Sequence, residues 1–437
     1  MEINMKKLAL AVCCVLTIAS LAGCGDDDEL TVMNEYLQLS PEPIEKETLV
    51  ASAETVTQES LETKEDSSKE SETEEGQLGE SQGASVPAET PEPEATEAPT
   101  STPEPTPILE PTPTPSNKKT ITISATGDVT IGTTHLQSYS GSFRQAYDQA
   151  DGPEYFFENV YDYFSTDDFT LVNLEGMLTK SDAKFGERSF YIKGDPEYVD
   201  ILTAGGVDAI SMANNHRLDF GEGGSRDTVK VLEEAGIPYA YDDNFTIVDV
   251  NGIKIGYVAV NEASKGAGVE KTLKEGIAKL REDGADLVFA CCHWGAEGKY
   301  TLESYQKTLG HKCIDWGADL VIGHHPHVLQ GVEEYQGKYI VYSLGNFCFG
   351  ANRNPKDKDT MIFQQTFTFE NDQLTNETTV RMIPCSLSSV SDKNDFKPTP
   401  ATGDEATRII EKMNGMSKDL GVTFGADGYV IPGEKTE

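Results

Sequence analysis

Basic side chains are scarce in this 437-residue chain, with 35 Lys and Arg against 74 Asp and Glu and a formal net charge of −39. A chain so poor in cations lacks the basic footprint of a nucleic-acid-binding protein, and that class is excluded. Cysteine is also sparse, at eight residues. Cys13, Cys14 and Cys24 fall in the first 24 positions, leaving Cys291, Cys292, Cys313, Cys348 and Cys385. An odd set at those positions does not form a disulfide framework, and Cys291 and Cys292, at the end of an apolar run, read as small buried residues. The apolar run Leu8 to Ala19 is too short to span a bilayer as a stable helix.

What that run offers instead is export. Lys6 and Lys7 precede it and small residues follow it, the pattern of a secretory signal over residues 1–23. Its end, Leu21 to Cys24 (LAGC), resembles the bacterial lipoprotein box, which makes Cys24 the lipidation site and places the mature protein on the extracellular face of the cell membrane, held by acyl chains. The alternative is simple cleavage near Gly23 and a free secreted protein. Residues 25–117 hold 24 Asp and Glu against three Lys and are crowded with Pro, Thr and Ser. Such a stretch buries too little apolar surface to offset chain entropy, so residues 24–117 are expected to be a disordered linker. It would span roughly 55 Å as a coil and at most about 290 Å fully extended.

From Lys118 the composition becomes that of a globular domain, with enough chain for one good core. An apolar strand that stops at a polar cluster recurs: Ile121 to Asp128, Phe169 to Gly176, Val207 to His216, Ile253 to Glu262, Ala285 to Gly295, Ala318 to His327 and Lys338 to Phe347. Helix-like segments such as PEYVDILTAGG, GSRDTVKVLEEAG and TLESYQKTLGHKCIDWG lie between them and end at Gly, as C-capped helices do. This alternation predicts an α/β domain with largely parallel strands over 118–350, with 351–437 completing the same domain.

The polar residues at the strand ends carry the functional signal. In open α/β sheets ligands bind beyond the carboxyl ends of strands. Asp128, Glu175, Asn214, Asn215, His216, His293, His325 and His327 all fall at such ends, on five different strands. In GADLVIGHHPHVLQG the strand Leu320–Ile322 runs into a turn where His325 and His327 can supply two neutral imidazoles to one metal. Two carboxylates, an amide oxygen and three imidazoles form a mixed oxygen and nitrogen set suited to Mn, Fe or Zn; the lack of thiolate argues against a structural zinc site. Glu175 can bridge two divalent metal ions, which together can hold a hydroxide and clamp a phosphoryl or carbonyl oxygen. His216 could then act as the catalytic acid or orienting group.

GDVTIG, NLEG, ANNHRLDFG, HWGAE, GHHPHVLQG and SLGNFCF, in this order from about Thr120 to Phe349, resemble the CapA family of capsule-synthesis proteins, associated with poly-γ-glutamate biosynthesis. That family is similar to the calcineurin-like metallophosphoesterases, which implies a two-sheet α/β/β/α sandwich. The resemblance implies Asp128, Glu175, Asn215, His293, His325 and His327 as metal ligands, with Glu175 bridging, and His216 as the acid or orienting group. Two positions depart from the phosphoesterase pattern. Thr130 stands where a His follows the first Asp, with His135 as a candidate replacement, and the bridging residue is Glu rather than Asp.

The implied function is that of a lipid-anchored extracellular protein in the synthesis, export or anchoring of an anionic polymer such as poly-γ-glutamate, alongside membrane synthase subunits, with a metal-dependent hydrolase or transferase centre. The alternative is a non-catalytic subunit that binds polymer or synthase and keeps a degenerate site. Asn214, Trp294 and Glu297 are candidates for touching substrate, and Arg188 and Lys193 for meeting an anion. Asn346 is placed to hydrogen-bond groups around the metal. His311 is expected to face solvent.

Overall fold

The computed structural model of the protein describes residues 117–432. The expected signal peptide, Cys24 and the acidic linker lie outside the described residues, Asn117 apart. Two large sheets stack face to face. In the first, β1 (Lys118–Thr130) pairs in parallel with β3 (Phe169–Leu174), which continues in parallel through β6 (Ala209–Ser211) to β7 (Tyr239–Ala240). On its other side β1 pairs antiparallel with β15 (Asp359–Glu370), followed by β16 (Gln373–Ser386) and β17 (Thr399–Pro400), and its end also pairs with β14 (Asn346–Phe349). The second sheet has a parallel centre of β9 (Ile253–Asn261), β10 (Leu287–His293), β11 (Leu320–His324) and β13 (Lys338–Leu344). Antiparallel edges β8 (Thr246–Val250) and β12 (Leu329–Tyr335) flank it. A small third sheet of β2 (Thr133–Thr134), β4 (Met177–Leu178) and β5 (Ile192–Gly194) forms a flap beside the exits of β1 and β3.

Alternation along each strand produces the layers. Ile121, Ile123, Phe169, Leu171, Ile255, Leu287, Phe289, Leu320, Ile322 and Val341 meet between the sheets in one buried cluster. The intervening residues face outward: Val172, Leu174 and Ile210 toward α1 (Phe143–Gln149), α2 (Val199–Ala204) and α3 (Gly221–Ala235), and Val258, Val288, Val321 and Ile340 toward α4 (Val269–Glu282) and α5 (Ser304–Asp315). Both faces of the central strands are therefore buried, which accounts for their near-continuous apolar runs. A last helix, α6 (Gly403–Ser417), seats Ile409, Ile410 and Met413 in the core between the sheets. The result is the expected two-sheet α/β/β/α sandwich. All five cysteines of the described residues are buried free thiols.

Candidate metal centre

Strand phase decides which side chains reach the centre. Ile121, Ile123 and Ala125 of β1 face the second sheet, and strict alternation would then turn Asp128 away. A register irregularity between Ala125 and Asp128 shifts the phase by one, so Val129 points to the outer helices and Asp128 to the inner face. Asn173 and Glu175 follow Phe169 and Leu171 on that face, and His293 follows Phe289 and Cys291. His325 and His327 leave β11 through a turn in which both have positive φ, 96° and 56°. Non-glycine residues rarely hold that conformation, and a tightly packed turn is needed to maintain it.

The side chains so placed converge. Glu175 Oε1 lies 3.6 Å from His293 Nε2 and 3.7 Å from His327 Nε2, and the rings of His293 and His325 are 4.6 Å apart. Two groups with metal-binding separation share Glu175, one with His293 and His325 and the other with Asp128 and His327. Glu297 forms a third group with His325 and His327. His293 Nε2 also lies 2.9 Å from Asn215 Oδ1, which brings the amide to the first group. His327 Nδ1 faces Asn346 Oδ1 at 2.9 Å and Asp128 Oδ2 at 3.3 Å, so a proton there leaves Nε2 to act as a ligand.

Whether these residues suit a cation can be judged from what they lack. Both carboxylate oxygens of Glu175 and Nδ1 of His325 are buried without a hydrogen-bond partner. Such orphans cost free energy unless something else satisfies them, and a divalent ion would. The titration behaviour agrees. Burial pushes Glu175 up to about 7, with Asp128 adding to the rise and His327 opposing it. Burial likewise holds His325 down to about 4 and His293 well below the usual imidazole range, as suits neutral ligands. His327 is the exception: burial lowers it, but Glu175 and Asp128 outweigh that and raise it to about 10.

His216 sits beside this cluster on the wall of a cleft of about 670 Å³ that is also lined by Glu175, His327 and Glu297. Its Nδ1 is 2.8 Å from Asp219 Oδ2. Burial disfavours its charged form, yet the hydrogen bond and charge of Asp219, together with the charge of Glu175, outweigh it and raise its pKa. Asp219 is fully buried and also accepts from the Ile192 N–H, while Arg188 lies 3.2 Å from its other oxygen and donates to the Asn215 carbonyl. Sequence reasoning missed Asp219 and Asn173; Asn173 donates to Asp128 Oδ1 at 2.8 Å. The spacing His216-x-x-Asp219 was the available signal for the first.

Several expectations need correction. Trp294 does not line the cleft: it is fully buried on the outer face of the second sheet and donates its indole N–H to the Tyr342 carbonyl. Asn214 is spent on the fold, giving Nδ2 to the Leu174 carbonyl and accepting the His216 N–H, and so shapes the turn that carries His216. Arg188 is tied to Asp219 and Asn215, and Lys193 to Ser181 and Asp182. His135 is exposed in the flap, with Nδ1 accepting from the Tyr191 N–H, and stands in none of the metal-binding groups of the described residues. Thr130 is buried with an unpartnered hydroxyl. His311 stacks on Tyr335 with centroids 3.8 Å apart, beside Glu333, rather than facing water.

A two-sheet sandwich with a shared carboxylate and imidazoles at its strand exits defines a metallophosphoesterase-like protein. The family of bacterial capsule synthesis proteins PGA_cap matches residues 122–351, and the chain belongs to that family. It is 28% identical over 269 residues to the capsule biosynthesis protein CapA of Bacillus anthracis, covering 56% of this chain and 63% of that one. It is 28% identical over 229 residues to the PGA biosynthesis protein CapA of Bacillus subtilis, covering 48% and 60%. The chain thus spans about three fifths of the length of these relatives. A hypothetical protein from Thermus thermophilus has a solved structure that aligns over 60% of this chain and 99% of its own, at 17% identity and a TM-score of 0.37.

Proposed function

We propose that this protein acts in the synthesis, export or anchoring of an anionic capsule polymer such as poly-γ-glutamate, from a lipid anchor on the extracellular face, through a metal-dependent hydrolase or transferase centre. Family membership and the names of the relatives support the process. The unpartnered, buried carboxylate of Glu175 between two imidazole-bearing groups supports the chemistry.

Asp128, Glu175 and His327 would hold one divalent ion, and Glu175, His293 and His325 with Asn215 a second, the metals being Mn, Fe or Zn. Bound there, such ions would polarise the attacked carbonyl or phosphoryl oxygen and supply hydroxide near neutral pH. The chain's own residues do the rest. His216, held at Nδ1 by Asp219, has Nε2 free to give a proton to a leaving group, and its raised pKa favours the charged form that this step needs. Arg188 fixes Asp219 and Asn215, so the acid and one ligand share a brace.

Thr130 favours a second reading, a non-catalytic subunit that binds polymer or synthase. It is buried where the phosphoesterases have a metal-binding His, and His135 is not in place to substitute. Metal analysis of the purified protein, followed by His216→Ala in a complementing cell, separates the two. Bound transition metal with polymer output lost in the variant supports the enzyme; unchanged output with metal retained supports the subunit. Protein that takes up no transition metal refutes the metal centre in both.

A further inference from the structure

One carboxylate at the centre belongs to neither of the two ligand sets above. Glu297 lies in the loop after β10, half-buried on the cleft wall, and its carboxylate forms a group with ring nitrogens of His325 and His327, all within 4.8 Å of one another. Lys299 and Lys356 line the same cleft, yet neither ammonium comes within 4.0 Å of that carboxylate. Among the described residues Glu297 makes no side-chain hydrogen bond at all.

The loop nevertheless holds this side chain in place. The Trp294 N–H donates to the His324 carbonyl at 3.0 Å and the Gly298 N–H to the Pro326 carbonyl at 2.8 Å. Residues on both sides of Glu297 are thus tied to the turn that carries His325 and His327. Gly295 reverses the chain between them with a φ of 86°, where a Cβ would meet the Gln306 side chain at 2.9 Å. Gln306 in turn donates to Gln330, whose amide holds the Lys299 carbonyl at 2.8 Å. Ordering a loop in this way costs chain entropy. An unpaired carboxylate fixed against two imidazoles is what a cation between them requires.

The donor count distinguishes the two ions. Glu175, Asn215, His293 and His325 give the second ion four donors, whereas Asp128, Glu175 and His327 give the first only three. Thr130 stands where the phosphoesterase pattern has the missing imidazole. His327 is common to the first ion's set and to the Glu297 group. Given the metal centre proposed above, we infer that Glu297 is the fourth protein ligand of the first ion, restoring the donor that Thr130 does not supply. The exchange changes the character of the site as well as its count. Three carboxylates and one imidazole, in place of two of each, make a harder and more anionic pocket, which favours Mn²⁺ there relative to the second site with its two imidazoles.

The test is Mn²⁺ titration of the purified, chelator-stripped protein without substrate, with free Mn²⁺ read by electron paramagnetic resonance. Wild type should bind two ions. Glu297→Gln should weaken one of them about a hundredfold or more, beyond what losing a hydrogen bond around a ligand costs, and leave the other unchanged. Asp128→Asn should do the same, and the double variant should still keep one ion, because both changes fall on one site. Melting temperatures of the metal-free proteins serve as the control for folding. Two ions held by Glu297→Gln as tightly as by wild type would overturn the ligand and leave the metal centre intact. A double variant that keeps neither ion would move Glu297 to the second ion and overturn the inference. Wild type that binds no transition metal overturns the centre and this ligand together.

Discussion

Replacing Glu175 by Gln tests the metal centre through stability alone, independently of any substrate. The carboxyl is fully buried with both oxygens unpartnered, and its pKa is raised from 4.5 to about 7. A carboxyl with a folded pKa above its unfolded value makes the native state bind the extra proton. Stability is then greatest below the unfolded value and is lost as pH rises through the interval up to the folded one. At pH 8 without metal the ionised group therefore costs up to about 3 kcal/mol. Gln removes the charge but leaves an amide equally short of partners, which takes back about 1–2 kcal/mol. Metal-free Glu175→Gln should thus be about 1–2 kcal/mol more stable than wild type at pH 8, a rise of about 2–4 °C in melting temperature. Adding Mn²⁺ or Zn²⁺ at about a hundred times its Kd should stabilise the wild type by about 2.7 kcal/mol and the variant far less, reversing the order. Differential scanning fluorimetry with chelator and with metal reads both arms. A metal-free variant that melts below wild type, or an equal metal-induced rise in both proteins, would refute the reasoning.

Three further substitutions probe separate parts of the structure. Trp294→Ala should cost about 3–5 kcal/mol in urea unfolding, as emptying a large buried site does, with metal stoichiometry unchanged; loss of metal would return Trp294 to the centre. Asp219→Asn should lower turnover about a hundredfold while metal content holds, because it removes the charge that raises the His216 pKa; unchanged turnover would deny His216 the role of acid. Asp167 is raised to about 7, chiefly by burial, which Ser124 and Thr170 only partly oppose. By the same sign argument its contribution falls between about pH 4 and 7. Asp167→Asn should therefore gain about 1–3 kcal/mol on wild type at about pH 8 and almost nothing at about pH 4, a difference readable by denaturant titration at the two values.

Much of the centre was legible because its residues stop apolar runs. A charged or imidazole side chain at the end of a doubly buried strand has few places to go except the rim, so Asp128, Glu175, Asn215, His293, His325 and His327 stand out one by one. Trp294 does not follow them because adjacency in HWG is not adjacency in space. In a strand the residue after His293 faces the opposite side, and Trp294 joins Val288, Ala290 and Cys292 against the outer helices. Asn214 departs from expectation because a polar residue at a strand exit can serve the turn as readily as the ligand. The strands β15 and β16 carry polar residues such as Gln364, Gln365 and Thr378 among their apolar ones, and nothing local places β15 beside β1 and β16 beside β15 in the sheet.

The sequence by itself determined the alternation of strand and helix, the inventory of candidate ligands and the family, because apolar period and side-chain chemistry are written residue by residue. Only the tertiary structure decided that one phase shift in β1 turns Asp128 inward, that Asp219 and Arg188 brace His216 and Asn215, and that Lys299 and Lys356 flank one cleft. Those outcomes depend on register and on loops meeting across long stretches of chain, and such contacts are fixed by packing rather than by any local pattern.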